Sequence, residues 1–130
     1  MLHPQQFKVN EAWIVFWLNE EPIDTVQDGS FNCICLMDAA SCYILANAMV
    51  PGHEAEPSQL EAKRLLRGGW ENKKIMPKTL FVPKGQFETN ITAEAKRQNI
   101  EVIPVKEDQL LVFIGEARQG YNEHLQTRRG

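Results

Sequence analysis

Lys78-Thr-Leu-Phe-Val-Pro-Lys-Gly-Gln86 is the stretch on which the fold turns. Thr79 to Val82 are apolar or β-branched, the composition of a buried strand. Pro83 lacks an amide donor and biases the residue before it towards an extended backbone, so it suits a strand terminus. Gly85 supplies the turn that follows. The position of this strand in the chain sets the architecture. Strands before it follow one another through short turns, and the strand after it is reached through a helix.

Upstream, Ala12-Trp-Ile-Val-Phe-Trp-Leu18 is rich in aromatic and β-branched residues and reads as a first strand. Asn19 to Pro22 breaks it, and Asp28-Gly29-Ser30 reads as a turn. Phe31 to Met37 and Tyr43 to Val50 are the second and third strands, the latter closed by Pro51-Gly52. Asp38-Ala-Ala-Ser41 is so short a connection that these two should form an antiparallel hairpin. The period then changes. Ser58-Gln-Leu-Glu61 is a capping box, and Leu60, Leu65 and Leu66 continue at helical spacing. Gly68-Gly69 is expected to fray or end that helix, with Trp70 able to extend its apolar face.

Downstream, Thr92 to Gln98 is a short predicted helix with a threonine at its start, and Ile100 to Val105 is a fifth strand. Leu110, Ile114, Ala117, Tyr121 and Leu125 recur at intervals of 4, 3, 4 and 4, one face of an amphipathic helix that Asp108 is placed to cap. The order is three strands, helix, strand, helix, strand, helix. It predicts an α/β fold: a five-stranded mixed sheet, made of an antiparallel three-strand meander plus two strands added through helices, with helices on its faces.

The chain has 130 residues, 43% of them hydrophobic, which suits one domain over 1–130 with its core at about 10–125 and flexible ends at 1–6 and 126–130. No charged-then-apolar leader opens it, and Ala12 to Leu18 is too short to span a bilayer, so a cytoplasmic protein with no membrane partner is expected. The net charge of −3 gives no support to nucleic acid as a partner, because neutralising phosphates normally takes a basic surface. Cys33, Cys35 and Cys42 are odd in number and lie in apolar segments, which reads as buried thiols and not as a disulfide framework. Scattered His3, His53 and His124 offer them no zinc-ligand spacing, and no cofactor or metal is expected.

The element order is the layout of the ribonuclease H-like fold, and the local sequence resembles the integrase core of transposases and retroviral integrases. Asn10-Glu-Ala-Trp13 is similar to that family's lead-in to its first core strand. Leu36-Met-Asp-Ala-Ala-Ser-Cys-Tyr-Ile44 resembles its hairpin, and Asn99-Ile-Glu-Val102 its approach to the fifth strand. Pro77 to Phe87 resembles its fourth-strand segment, where Asp-Asn-Gly normally follows the strand. The resemblance covers about residues 10 to 125. It implies two divalent ions held by three carboxylates, which clamp the attacking and leaving oxygens of a phosphodiester. Here the first position falls on Phe16 and the second on Pro83, neither of which can ligate a metal.

The third position could match Glu116. At about 100° per residue it points roughly 140° from the centre of the apolar stripe, the orientation of an exposed salt-bridging glutamate. Asp38, at a strand end, is the most tempting acid. Its plainer reading is a turn aspartate bonded to the amide of Ala40 or Ser41, and the resembling family does not use its hairpin aspartate as a ligand. Trp13, Phe16 and Trp17 could stack bases, but without nearby cations they read as core or dimer interface. Lys73, Lys74, Lys78 and Lys84 could touch phosphates but read as a solvated face. Asn90-Ile-Thr92 matches a glycosylation sequon that has no meaning in a cytoplasmic protein.

These readings imply an integrase-core-like domain that is catalytically inactive and acts as a binding or assembly module. One alternative is a divergent metal-dependent nuclease or phosphotransferase using Asp38 with Glu116, which requires the two carboxylates to converge to about 5–6 Å. Another is a purely structural domain whose apolar edge forms a homodimer, with a symmetric interface above roughly 1,000 Å².

Overall fold

The computed structural model describes residues 2–129 apart from Glu20 and Asp28, and for Thr25 and residues 121–129 it describes the backbone alone. Its strands are β1 (Ala12–Trp17), β2 (Ile23–Thr25), β3 (Gly29–Asp38), β4 (Ile44–Pro51), β5 (Thr79–Pro83) and β6 (Glu101–Val105). Its helices are α1 (Gln59–Lys73) between β4 and β5, α2 (Asn90–Arg97) between β5 and β6, and α3 (Leu111–Arg129). One side of β3 pairs with β4. The other side pairs with β1 along its C-terminal half and with β2 along its N-terminal half. The sheet then continues from β1 through β5 to β6. β3 is antiparallel to β1, β2 and β4, whereas β1, β5 and β6 run parallel.

The sheet is therefore mixed, as the element order implies, but has six strands and not five. The extra strand, β2, is three residues long and carries no alternating pattern. It exists because β3 starts at Gly29, earlier than Phe31, and so offers a free edge beyond the end of β1. Asp28, in the expected turn, lies outside the described residues.

Both faces of the sheet are covered, which is why β1 is apolar at every position and does not alternate. On one face Trp13, Val15, Ile34, Leu36 and Leu80 pack under Ala62, Leu65 and Leu66 of α1 and Ile91 and Ala95 of α2. On the other, Ile14, Phe16, Cys35, Met37 and Phe81 pack under Leu110, Phe113 and Ile114. The Tyr121 and Leu125 side chains of the expected stripe lie outside the described residues. The N-terminal segment, read from sequence as loose, contains a short 3-10 helix at Pro4–Gln6. Leu2 and Phe7 pack against the α3-side core, with the Phe7 ring 5.5 Å from that of Phe81.

Helix starts follow local and distant chemistry differently. At α1 the Ser58 hydroxyl accepts from the Glu61 amide and the Glu61 carboxylate accepts from the Ser58 amide, the capping box its sequence displays. α2 starts at Asn90 and not Thr92. Thr89, the residue before it, makes no side-chain cap. Glu56 reaches over from the β4–α1 connection and accepts from the amides of Thr89 and Asn90 instead, a carboxylate at the positive end of the helix. Asp108 does not cap α3, because a 3-10 turn at Glu107–Leu110 runs directly into that helix and encloses it.

Gly68-Gly69 does not end α1, which continues to Lys73. A Cβ at Gly69 would lie 2.7 Å from the Leu36 side chain and 2.8 Å from the Trp13 ring, so glycine is what lets the helix approach the sheet. Gly69→Ala is expected to lower stability by about 1–2 kcal/mol, since overpacking outweighs the better helix propensity of alanine. Urea denaturation checks this; a gain in stability would show that the Trp13 ring can move aside.

Candidate functional site

The parallel strands β1, β5 and β6 end on one side of the sheet, the usual position of ligand sites in open α/β sheets. Ala12, Trp13 and Ile14 pair with Thr79, Leu80 and Phe81. Continued along the two strands, that register sets Phe16 beside Pro83. Both side chains fall on the α3 side by strand alternation, with Phe16 in the core beneath α3 and Phe81 two residues before Pro83. Phe16 is 0% exposed and Pro83 is buried, so this strand end is closed by apolar groups.

Beside it lies an open cleft of about 670 Å³ whose lining includes Asn19, Asn32, Gln86, Glu107, Asp108 and Arg118. Arg118, the one cation among its described lining residues, is committed to the fold. Arg118 donates from Nε and Nη2 to the Trp17 carbonyl at 3.2 and 2.9 Å, and from Nη2 to the Glu107 carboxylate at 2.7 Å. This fork ties α3 to the end of β1. Asn19 is equally committed. Its Nδ2 donates to the Glu21 carbonyl at 2.7 Å and to Asn32 Oδ1 at 2.9 Å, and its Oδ1 accepts from the Cys33 amide at 2.6 Å. That network turns the chain from β1 back to the edge of β3. Sequence reading missed Arg118, Glu107 and Asn19. The one available signal was that Glu107 and Arg118 are 11 residues apart, three helical turns.

Asp38 lies towards the opposite end of the sheet. Trp13 pairs with Asp38 whereas Phe16 pairs with Cys35, a separation of three residues or about 10 Å along the strands. Asp38 is completely buried. Its Oδ1 accepts from the Asn10 amide at 2.7 Å, and its Oδ2 accepts from the Ser41 amide at 3.0 Å and the Ser41 hydroxyl at 2.6 Å. Asn10, in the left-handed region at φ 65°, carries the network on: its Oδ1 accepts from the Trp13 indole at 2.7 Å and its Nδ2 donates to the Ile75 carbonyl at 3.1 Å. The Asp38 carboxylate thus ties the lead-in to β1, the β3–β4 turn and the segment after α1.

Cross-strand partners share a face, so Asp38 projects with Trp13 towards α1. Glu116 sits exposed on α3, on the other side of the sheet. Asp38 is thus a buried strand-end acid and Glu116 an exposed helix acid. Among the described residues, no three His, Cys, Asp or Glu side chains are grouped to hold a metal ion. Cys42 lies in the field of both acids. Burial first, then the negative charges of Glu116 and Asp38, push its thiol above the ordinary range. Cys35 is also raised, by its hydrogen bond to Cys33 and by burial. All three cysteines are free.

Trp13 and Phe16 are fully buried on opposite faces and so form no shared stacking platform. Trp17 is half-buried against Phe87, with ring centroids 5.1 Å apart. The lysines are dispersed. Lys73 lies over the Tyr43 ring and Lys74 over the Trp70 ring, while Lys78 and Lys84 are exposed at opposite ends of β5.

This sheet order and helix placement define a ribonuclease H-like fold of the integrase-core type. Solved structures with it include the HTLV-2 integrase catalytic core domain in complex with magnesium, in its dimeric form, at a TM-score of 0.52 and 10% identity over 84% of this chain and 82% of that one. The simian T-cell lymphotropic virus intasome, in complex with PP2A regulatory subunit B56 gamma, matches at a TM-score of 0.56 and 12% identity over 91% of this chain. The chain spans 39% of the length of that intasome protein. At such identities the likeness is one of fold. No protein-family model and no curated protein matches the sequence. No described helix is long and apolar enough to cross a membrane.

Proposed function

We propose that this chain is a catalytically inactive integrase-core-like domain that serves as a binding or assembly module. The observation that carries this reading is the burial of Phe16 and Pro83, two apolar residues at the ends of the neighbouring strands β1 and β5, at the positions where the resembling family holds its metal ions. An aromatic ring and a prolyl ring offer no oxygen to a hard cation. Of the two remaining acids of interest, Glu116 is exposed on α3, and Asp38 has both oxygens engaged by internal donors. A two-ion clamp on a phosphodiester needs carboxylates that converge on one point.

The test is titration with Mn²⁺ together with incubation of the protein with single- and double-stranded DNA. The expected result is no site binding of Mn²⁺ and no cleavage above background. Two bound ions sharing Asp38, or cleavage that Asp38→Ala abolishes while the variant stays folded, would overturn the reading.

A further inference from the structure

Helix α1 has an outer face as ordered as its inner one. Lys63, Arg67, Trp70 and Lys74 follow at intervals of 4, 3 and 4, a single stripe along the exposed side, with Lys74 at the C-cap. Residues 59–74 hold five cations, Lys63, Arg64, Arg67, Lys73 and Lys74, against two acids, Glu61 and Glu71, in a chain whose net charge is −3. Glu61 is committed to the capping box. Glu71 pairs with Arg67 at 3.4 Å, but both side chains are more than half exposed, so that pair is weak and open to exchange. Trp70 stays 40% exposed, although its neighbours Leu66 and Gly69 are buried. The Lys74 ammonium lies 4.9 Å from the centroid of its ring.

Lys63, Arg67 and Trp70, with Met76 and Gln98, line an open groove of about 250 Å³. That is smaller than the roughly 300–1,000 Å³ of sites that enclose a whole small molecule. It suits one or two planar rings laid against an indole, flanked by cations. An exposed aromatic face interleaved with Lys and Arg is the combination that holds unpaired bases by stacking and their backbone by charge. A groove this small admits splayed bases and not a duplex.

We infer that the α1 stripe binds single-stranded nucleic acid, with Trp70 as the stacking residue and Lys63 and Arg67 as phosphate contacts. This deepens the module reading above by naming the partner, and it leaves the strand-end cleft unused. The positive charge is local, so the negative chain as a whole confines the strand to this face.

The experiment is fluorescence anisotropy of a labelled oligo(dT), repeated between about 50 and 200 mM salt, with the length of the oligonucleotide checked afterwards on a gel. Binding is expected to weaken with salt. Trp70→Ala is expected to weaken it by about 5- to 100-fold, as loss of one stacked base would. Lys63→Ala and Arg67→Ala should each flatten the slope of log affinity against log salt by about 0.7. All three residues are on the surface, so circular dichroism of the variants should match the parent. No binding at low salt, binding indifferent to these substitutions, or equal binding of a polyglutamate peptide overturns the inference. An oligonucleotide that is bound through the stripe and also cut would instead sink the inactive-module reading and leave the stripe standing.

Discussion

Trp13→Ala is expected to leave this chain barely folded, with a loss of about 3–5 kcal/mol, the range for truncating a fully buried aromatic residue. Domains of this size hold about 5–15 kcal/mol in all. Trp13 is 0% exposed and sits where three elements meet. It pairs with Leu80 and Asp38 across the two neighbouring strands, and its ring fills the space that Gly69 leaves in α1. Its indole also donates to Asn10 Oδ1. Alanine therefore opens a cavity under α1 and frees the side chain that orients the lead-in to β1.

Trp13→Phe keeps most of the volume and loses the hydrogen bond, so a smaller loss of about 2 kcal/mol is expected. The diagnostic measurement is a double-mutant cycle with Gly69→Ala by urea denaturation. The added methyl should cost less once the tryptophan ring is gone, giving a coupling above about 0.5 kcal/mol. Strict additivity would mean that the close approach of α1 is not set by this ring.

That pair of residues also marks the boundary of what sequence reveals. Features written in neighbouring residues are readable: the Ser58–Glu61 capping box, the apolar face that runs from Leu110 in the 3-10 turn to Ile114 and Ala117 of α3, and the short connection that makes β3 and β4 a hairpin. Gly68-Gly69 misleads because a local propensity penalty of about 1 kcal/mol per glycine is set against a tertiary contact that sequence does not display. The start of α2 misleads for the same reason, since its capping carboxylate comes from Glu56, 33 residues before Thr89. β2 is invisible because its pairing with the edge of β3 is a tertiary contact that three residues without an alternating pattern do not announce. Phe16 and Pro83 are legible in the sequence as apolar residues at strand ends, and the structure adds that both are buried. The clamp between Arg118 and the Trp17 carbonyl spans 101 residues and belongs wholly to the folded chain.

Asp38→Ala is expected to destabilise the protein by about 2–4 kcal/mol and to remove no activity. The wild-type carboxylate accepts three hydrogen bonds in a fully buried position. Its removal strands the Asn10 amide and the Ser41 amide and hydroxyl, and each unmet buried donor costs roughly 1–3 kcal/mol. Ser41 is exposed and can turn to water, so the total falls below the sum. Asn10 is the costlier loss, because its amide is held in place by Asp38 while its side chain holds the Trp13 indole and the Ile75 carbonyl.

Asp38→Asn tests the assignment more finely. Its oxygen can still accept from Asn10, but an amide nitrogen then faces the Ser41 amide, donor against donor. About half the penalty should return. Ser41→Ala should cost less than either, since it removes one hydroxyl and leaves both carboxylate oxygens with a backbone donor. Denaturation midpoints at constant urea dependence rank the three. The order Asp38→Ala, Asp38→Asn, Ser41→Ala is that of a structural aspartate. An aspartate kept for chemistry would show the reverse: near-wild-type stability in Asp38→Asn together with complete loss of a metal-dependent reaction.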